Sequence, residues 1–345
     1  MSQQAPDVSA VAENGPAPDD GAPPKSRRLF SGALGRNLGL IVALVVLIVI
    51  GAIMAPGEFA TVSNALTILR QASIIGVISI GMTFVIISGG IDLSVGAVMG
   101  LASVVATIEV SQNLADDTHW VVMVVIALLV GVAAGLVNGV IIAYFKVNPF
   151  ITTLGTMVLV RGVVFLITGG APVEGPEGLP SAFVAMGSSH FLGLHTLVWI
   201  PVVLLVLLSW VMHGMPYGRQ IYATGGGREA AYLSGVPVAR ITASTYVVCG
   251  ALAGVAGVML AARLQSGQPT AGEFYELTAI AAVVLGGAAL HGGEGTLYKS
   301  VIGVFIMVIL GNGLNLLNVD SYWQRVAVGA VIIAAAAADS MRSKR

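Results

Sequence analysis

The chain has 345 residues, of which 56% are hydrophobic and only 10% are charged. Soluble domains contain about 25% charged residues, so this composition excludes an ordinary soluble domain. The net charge of −1 gives no reason to expect a nucleic-acid partner, and a single cysteine, Cys249, excludes an internal disulfide. The 44 glycines indicate helices that approach one another closely. The predicted fold is all-α, a polytopic transmembrane helical bundle.

The first segment, residues 1–36, is predicted to be a disordered cytoplasmic tail, because most of it is rich in Ala, Pro, Asp and Glu and lacks apolar periodicity. Lys25, Arg27 and Arg28 precede the first span and favour a cytoplasmic N-terminus. Residues 37–340 are predicted to form the transmembrane domain, and residues 341–345 a cytoplasmic tail.

About ten apolar stretches approach the roughly 20 residues that a helical span needs. In chain order they are residues 37–55, 66–88, 93–110, 120–143, 149–168, 196–213, 241–262, 276–290, 297–317 and 323–339. An even number of spans returns the C-terminus to the side of the N-terminus, so both termini are predicted to be cytoplasmic.

The charges between the spans agree with this topology. The predicted inner segments hold the cations Lys146, Arg219, Arg228, Arg240, Lys299, Arg342, Lys344 and Arg345. The predicted outer loops hold the acids Glu58, Asp116, Asp117, Glu174, Glu177, Glu273 and Asp320, with Arg263 as their one base. Positive charges concentrate on the cytoplasmic side of membrane proteins, so the asymmetry supports the predicted orientation.

The second and third spans meet at a polar stretch, residues 88–96, that contains Gly89, Gly90 and Asp92. The glycines predict a hinge or break in the helix. Three roles remain open for Asp92: the N-cap of the next helix, a pathway or gating residue, or an ion-pair partner. The run before Gly286 and Gly287 weakly resembles the run before Gly89 and Gly90, which suggests a second break and an internal duplication.

Two connections are unusually long. Gly225, Gly226 and Gly227 predict a short inner helix that starts at Arg228 and ends at Gly235. This helix either docks into a groove of another protein or caps the bundle. The outer connection 169–195 either docks an outside partner or is an irregular plug or linker.

Several motifs in order resemble the permeases of ribose- and xylose-type ABC sugar importers, within the branched-chain amino acid/ribose permease superfamily. They are GGIDLSVG at 89–96, NPFITTLG at 148–155, YGR at 217–219 with REAA at 228–231 and SGV at 234–236, AAVVLGG at 281–287, GGEGT at 292–296 and GNGLNLL at 311–317. The resemblance covers about residues 37–340.

The resemblance implies a subunit that carries a monosaccharide, ribose or another pentose first of all, across the inner membrane. It implies a homodimer or paired permease, a cytoplasmic ABC ATPase that binds ATP and Mg, and a periplasmic sugar-binding protein. This chain itself is expected to bind no cofactor and to touch membrane lipid. The residues that match the helix coupled to the ATPase are Arg228, Glu229, Ala230, Ala231, Leu233, Ser234 and Gly235.

The sugar pathway is expected among polar residues that interrupt apolar spans. The candidates are Asp92, Ser94, Asn138, Thr152, Thr153, Arg161 and Asn312, within a wider set that adds Thr83, Ser88, Thr156 and Asn315. Ser and Thr in membrane helices often bond their own backbone, and Asn often joins helices, so a packing role stays open for each. Arg161 either lines the pathway or pairs with a carboxylate such as Asp92 or Glu109.

An ion-coupled secondary transporter of a small polar solute is the alternative function, because it too would use a broken helix with an intramembrane carboxylate. Such a protein would not need the inner docking segment. An enzyme is not expected, since the sequence shows no nucleophile–base pair and no metal-ligand cluster.

Overall fold

The computed structural model describes residues 33–174 and 178–343. Residues 1–32, which hold most of the predicted disordered tail, and residues 344–345 of the predicted C-terminal tail lie outside the described residues. Most of the described chain is helical, because a membrane-embedded backbone satisfies its own polar groups best in a helix. From Leu40 onward the helices belong to one compact unit.

Fourteen helices and one hairpin make up the described part of the chain. The helices are α1 (Ala33–Met54), α2 (Val62–Ile87), α3 (Val95–Thr107), α4 (Glu109–Asp117), α5 (Val121–Ala143), α6 (Pro149–Thr168), α7 (Ser181–Ser188), α8 (Thr196–Gly214), α9 (Pro216–Gly226), α10 (Arg228–Leu233), α11 (Val238–Leu264), α12 (Tyr275–Leu285), α13 (Leu297–Leu316) and α14 (Ser321–Ser343). The antiparallel strands are β1 (His190–Phe191) and β2 (Leu194–His195).

Six of the described helices are long and apolar enough to cross a membrane: α2, α5, α6, α8, α11 and α13. Helices α3 and α4 pass the same test only as a bent pair, which has the geometry of a broken span or a re-entrant loop, and shorter apolar helices lie within α1, α12 and α14. The predicted all-α, polytopic membrane architecture is therefore confirmed. The count of ten spans stays a prediction.

The third and eighth predicted spans differ from the helices observed. The predicted span over 93–110 corresponds to α3 and the start of α4, which are bent by 52° at the extended residue Ile108 and do not form one straight helix. The eighth span was predicted to reach residue 290, but α12 ends at Leu285. Gly287 has a φ of +86°, a left-handed conformation that ends a helix and favours glycine.

Helix α11 lies at the centre of the unit and packs against α2, α3 and α5. Glycines allow the backbones of α5 and α11 to touch. A Cβ atom at Gly131 would lie 2.2 Å from the carbonyl oxygen of Gly250, and one at Gly135 would lie 2.3 Å from that of Tyr246. These glycines thus allow the close packing of helices that the high glycine content predicted.

The long connection between α6 and α8 contains regular structure that was not predicted. It includes α7 and the β1–β2 hairpin. Helix α7 is fixed to the end of α11: Phe183 is fully buried, and a Cβ at Gly187 would lie 2.2 Å from the carbonyl oxygen of Ala262. This connection therefore contains regular structure, and α7 packs it against the end of α11.

Candidate functional site

Asp92 lies in a tight turn between α2 and α3. Its Oδ1 atom accepts hydrogen bonds from the backbone N–H of Ser94, at 2.9 Å, and from the Ser94 hydroxyl, at 2.6 Å. Of the three roles left open for Asp92, the structure does not show the N-cap, because Ser94 is the residue that precedes α3 and Asp92 accepts from Ser94 rather than from the first helical N–H groups. Asp92 instead closes an Asx turn that sets the direction of α3.

The Asp92 turn continues as a chain of hydrogen bonds into two other helices. The Ser94 hydroxyl accepts a bond from Asn138 Nδ2 on α5, at 2.9 Å. Asn138 Oδ1 accepts a bond from the Thr156 hydroxyl on α6, at 2.6 Å. We call Asp92, Ser94, Asn138 and Thr156 the Asp92 network. It brings together three of the predicted pathway residues, and it ties the helix break to α5 and α6.

A pair of variants separates the carboxylate charge from the hydrogen bonds of the Asp92 network. Asp92→Asn retains an oxygen that can accept both bonds from Ser94, so we expect near-normal folding. Asp92→Leu leaves two buried donors unsatisfied, which costs about 1–3 kcal/mol for each. The measurement is the monodisperse fraction of purified protein and its midpoint of thermal aggregation. Equal loss in both variants would show that the charge itself holds the turn.

The other predicted pathway residues are engaged in local or structural contacts. The Thr152 hydroxyl donates to the carbonyl oxygen of Asn148, at 3.1 Å, and the Thr153 hydroxyl donates to that of Pro149, at 2.9 Å. These are bonds to the preceding turn of the same helix. Asn312 on α13 exchanges two amide hydrogen bonds with Asn64 on α2, at 2.8 and 3.0 Å. Asn64 was not among the predicted residues, and its pairing across 248 positions had no signal in the sequence.

Arg161 fixes the loop between α11 and α12. Its Nη1 atom donates to the carbonyl oxygens of Pro269, at 2.7 Å, and Ala271, at 2.9 Å. Glu273 and Glu276 are the carboxylates that interact with it electrostatically. The predicted pairing with Asp92 or Glu109 is wrong, because α6 runs past this loop and presents Arg161 to backbone carbonyls. We call residues 265–274 the Arg161 loop.

Replacing Arg161 is expected to release this loop. Arg161→Met keeps most of the apolar stem but loses two charge-assisted hydrogen bonds, each worth about 1.5–3 kcal/mol. Amide hydrogen exchange within residues 265–274 should become at least about tenfold faster. Arg219→Met, which removes an exposed arginine from α9, is the matched control and should leave that exchange unchanged. Unchanged exchange in Arg161→Met would contradict the assigned role.

The predicted coupling helix is present as α10, which begins at Arg228 as expected and ends at Leu233. Ala231 anchors it, with only 5% of its surface exposed, and Gly235 turns the chain with a φ of +83°. Tyr232 and Leu233 point outward, at 71% and 80% exposure. The remaining predicted coupling residues, which are Arg228, Glu229, Ala230 and Ser234, are also exposed. An outward apolar pair on a six-residue helix is a surface suited to docking.

A groove of about 1010 Å³ runs beside α10. Lys146, Arg228 and Arg240 line it together with Glu229. Arg228 also donates from Nη2 to the Thr242 hydroxyl, at 3.0 Å, which joins α10 to the start of α11. The side of the fold that carries α10 therefore also carries a cluster of cations.

Three glycine-containing segments meet, and we call them the glycine junction: Gly89 after α2, Gly225 in α9, and Gly292 with Gly293 after α12. The N–H of Gly293 donates to the carbonyl oxygen of Ile87, at 2.8 Å. A Cβ at Gly225 would lie 1.8 Å from that same oxygen and 2.5 Å from the nitrogen of Gly293. The end of α9, which leads into α10, thus touches the backbone of the breaks that follow α2 and α12.

Tyr222 adds a second link at the glycine junction. Its hydroxyl donates to the carbonyl oxygen of Gly295, at 2.8 Å. Burial raises the pKa of the Tyr222 phenol, so this hydroxyl keeps its proton and remains a donor. Helix α9 is therefore bonded by a side chain, as well as packed by its backbone, to the turn that follows α12.

The predicted hinge glycines occupy these breaks, although a hinge motion stays a prediction. Gly89 has a φ of +82° and Gly287 a φ of +86°. Gly90 faces the Tyr246 hydroxyl, which a Cβ would approach to 2.3 Å, and Gly286 packs on the backbone of Lys299, where a Cβ would lie 2.7 Å from the carbonyl carbon. Gly89 and Gly287 are thus required by their backbone conformation. Gly90 and Gly286 are required by the close approach of neighbouring atoms.

A second cleft, of about 780 Å³, opens at the other end of the bundle. Helices α2, α11, α13 and α14 form its walls with the Arg161 loop. The polar side chains that line it include Gln71, Arg263, Glu273, Asn315 and Gln324. Among the described residues there is no group of three or more His, Cys, Asp or Glu that could hold a metal ion.

Comparison with known proteins places these features in a family. Residues 64–336 match the family described as "Branched-chain amino acid transport system / permease component". The ribose import permease protein RbsC of Bacillus subtilis (strain 168) is 41% identical over 319 residues, which are 92% of this chain and 97% of that protein. The protein of the same name from Escherichia coli (strain K12) is 42% identical over 317 residues, again 92% and 97% of the two chains.

This chain is also similar to a permease that is named for a different sugar. The L-arabinose transport system permease protein AraH of Escherichia coli (strain K12) is 38% identical over 346 aligned positions, which cover 98% of each chain. No solved structure is significantly similar to this chain.

Proposed function

This chain belongs to the family of permease components of branched-chain amino acid transport systems, and we propose that it is the membrane-spanning subunit of an ATP-driven importer of a monosaccharide. The observation that carries the proposal is the full-length similarity to permeases named for ribose and L-arabinose, at 38–42% identity. The substrate class is accordingly a pentose. The ion-coupled alternative gains no support from these relatives, and it leaves the exposed α10 without a use.

The proposed topology has ten spans with both termini in the cytoplasm. Six helices, the bent pair α3–α4 and the apolar parts of α1, α12 and α14 supply ten candidates. With this orientation the cations beside α10 face the cytoplasm, in accord with the positive-inside rule. The protein is then a multi-pass component of the cell inner membrane, surrounded by lipid.

The proposed partners are a cytoplasmic ABC ATPase, a periplasmic sugar-binding protein and a second permease, identical or related. The ATPase would bind α10 and would itself hold ATP and Mg. This chain would act as a transport subunit without enzymatic activity or a cofactor of its own. Helix α7 and the β1–β2 hairpin lie in an outer connection under this topology, where they suit the binding protein.

The proposed mechanism passes force from α10 to the helix breaks through the glycine junction. When the ATPase closes, α10 and α9 move together, because only the extended residue Gly227 separates them. Gly225 presses on the carbonyl of Ile87 and on Gly293, so α2 and α13 move with α9. Rigid-body rocking of helices around breaks is a common route to alternating access. We call the second cleft the outer cleft, because it faces outward in the proposed topology. The polar side chains at the breaks and in the outer cleft then give the sugar weak, temporary partners.

The experiment that tests the substrate class compares a sugar with an amino acid. The permease and its ATPase are reconstituted in proteoliposomes together with the sugar-binding protein. ATP is supplied on the side of the membrane where the ATPase lies. Radiolabelled D-ribose and L-arabinose should accumulate, and L-leucine should not. Accumulation of L-leucine without either sugar would overturn the sugar assignment while leaving the family unchanged.

A further inference from the structure

We propose that the outer cleft between α2, α11, α13 and α14 is a weak carbohydrate-binding site within a single permease chain. This inference rests on the proposed function, because it names a site for the sugar that the importer carries. The cleft is separate from the Asp92 network, whose polar groups bond one another.

The cleft has the volume and the polar lining of a binding site for a small molecule. Its volume of about 780 Å³ lies within the range of roughly 300–1,000 Å³ that small-molecule pockets occupy. A different element supplies each of its main polar groups: Gln71 comes from α2, Arg263 from α11, Glu273 from the Arg161 loop, Asn315 from α13 and Gln324 from α14. Polar groups that converge from five separate elements indicate a built site.

Most of these groups have unused hydrogen-bonding capacity. In the described part of the chain, the side chains of Gln71, Arg263, Glu273 and Asn315 make no hydrogen bond and no ion pair. The Asp92 network differs, because each of its members has a partner at 2.9 Å or less. Polar groups that line a cleft and make no hydrogen bond within the protein are available to water or to a ligand.

The chemistry of the wall fits a neutral polyhydroxyl compound. Each amide offers a donor and an acceptor, as each sugar hydroxyl does. Arg263 and Glu273 contribute one positive and one negative charge, so the wall does not select an ion of either sign. Tyr275 adds a half-buried aromatic ring on which the apolar face of a sugar can lie.

The cleft wall is also held in place before any ligand arrives. Arg161 fixes the carbonyl groups of the loop that carries Glu273. Arg325 stacks on the ring of Phe274, at 4.9 Å from its centre, and the backbones of Val173 and Gly267 exchange two hydrogen bonds of 2.8 Å. Pre-organisation reduces the entropy that binding must overcome. Exposure of the cleft keeps the affinity low, which a transport site requires for release.

Direct binding without the sugar-binding protein tests this site. The full-length chain with its ATPase is placed in lipid nanodiscs, and saturation-transfer difference NMR is recorded with D-ribose, L-arabinose and L-leucine. We expect signals from the two sugars only. The double variant Gln71→Leu with Asn315→Leu should weaken sugar binding by about tenfold, as expected for the loss of two hydrogen-bonding amides.

Asn113→Leu is the matched control, because it removes an exposed amide from α4, away from the cleft. It should bind sugar like the unaltered chain. Absence of a sugar signal from the unaltered chain, a signal from L-leucine alone, or equal binding by the double variant and the control would each overturn the site. Because the double variant can lose structure, its monodispersity is checked, and Glu273→Gln, which is isosteric, serves as the second variant with the same expected direction.

ATP-driven uptake by the complete transporter separates this inference from the proposed function. Sugar uptake with no binding in the cleft would overturn the cleft site alone. Absence of sugar uptake by the unaltered transporter would overturn the proposed function.

Discussion

Gly225→Ala is expected to lower ATP-driven uptake at least about tenfold, whereas Gly226→Ala should leave uptake near the unaltered level. The added methyl group at Gly225 would lie 1.8 Å from the carbonyl oxygen of Ile87, while a Cβ at Gly226 has no atom within 4 Å. Overlap with backbone forces the elements apart, since backbone cannot turn aside as a side chain can, and such overpacking costs about 1–3 kcal/mol or more. The two variants add the same methyl group to adjacent residues of α9.

The measurement is initial uptake in proteoliposomes, normalised to the amount of assembled permease–ATPase complex. The account predicts that Gly225→Ala still binds its ATPase, because the exposed docking side chains Tyr232 and Leu233 lie outside the glycine junction. Tyr222→Phe should lower uptake in the same direction, through loss of the bond to Gly295. Equal uptake by Gly225→Ala and Gly226→Ala would remove the glycine junction from the mechanism.

Leu233→Asp is expected to abolish co-purification of the ATPase. Leu233 is 80% exposed beside the exposed Tyr232, so the free permease should fold normally with aspartate there. A carboxylate forced into an apolar docking groove without a partner costs several kcal/mol, which is a loss of at least about a hundredfold in affinity. Glu229→Arg should act in the same direction by reversing one exposed charge of α10.

Leu192→Asp provides the matched control, because Leu192 is 75% exposed in the β1–β2 hairpin on the opposite side of the proposed topology. Its complex with the ATPase should form in normal yield. The measurement is the ratio of ATPase to permease after affinity purification in mild detergent. A normal ratio in Leu233→Asp would remove the coupling assignment from α10.

Local signals predicted the helices well. Pro149 after Asn148 predicts the start of α6, and the Asn148 side chain does accept a bond from the N–H of Phe150, at 2.9 Å. The glycine runs predict both breaks and the start of α10 at Arg228. These features depend on residues within one helical turn of each other, which is why a single sequence carries them.

Pairings across the fold could not be predicted in the same way. Arg161 is a conspicuous intramembrane charge, and charge alone suggests a carboxylate partner. Its partners are backbone carbonyls of Pro269 and Ala271, which any residue type would supply. The contact among Gly89, Gly225 and Gly293 could not be predicted from the sequence either. A glycine indicates that a neighbouring segment approaches closely, but it does not indicate which segment that is.

The predicted pathway shows the same limit. Asp92, Ser94 and Asn138 were selected because they are polar within apolar stretches. The structure places them in one network, with their hydrogen bonds directed at each other. Several polar groups without hydrogen-bond partners line the outer cleft. Of the wider candidate set only Asn312 and Asn315 line it, and Asn312 is paired with Asn64. Polarity in the sequence locates such residues, but only the fold separates satisfied groups from available ones.

The central claim is that this chain is the membrane-spanning subunit of an ATP-driven sugar importer. The energy source that sugar uptake requires tests this claim most directly. Proteoliposomes that contain the permease, its ATPase and the sugar-loaded binding protein are supplied in turn with ATP, with a non-hydrolysable ATP analogue, and with a proton or sodium gradient alone. The account predicts sugar uptake with ATP only, and its loss when α10 carries Leu233→Asp. Uptake driven by an ion gradient without ATP would contradict it.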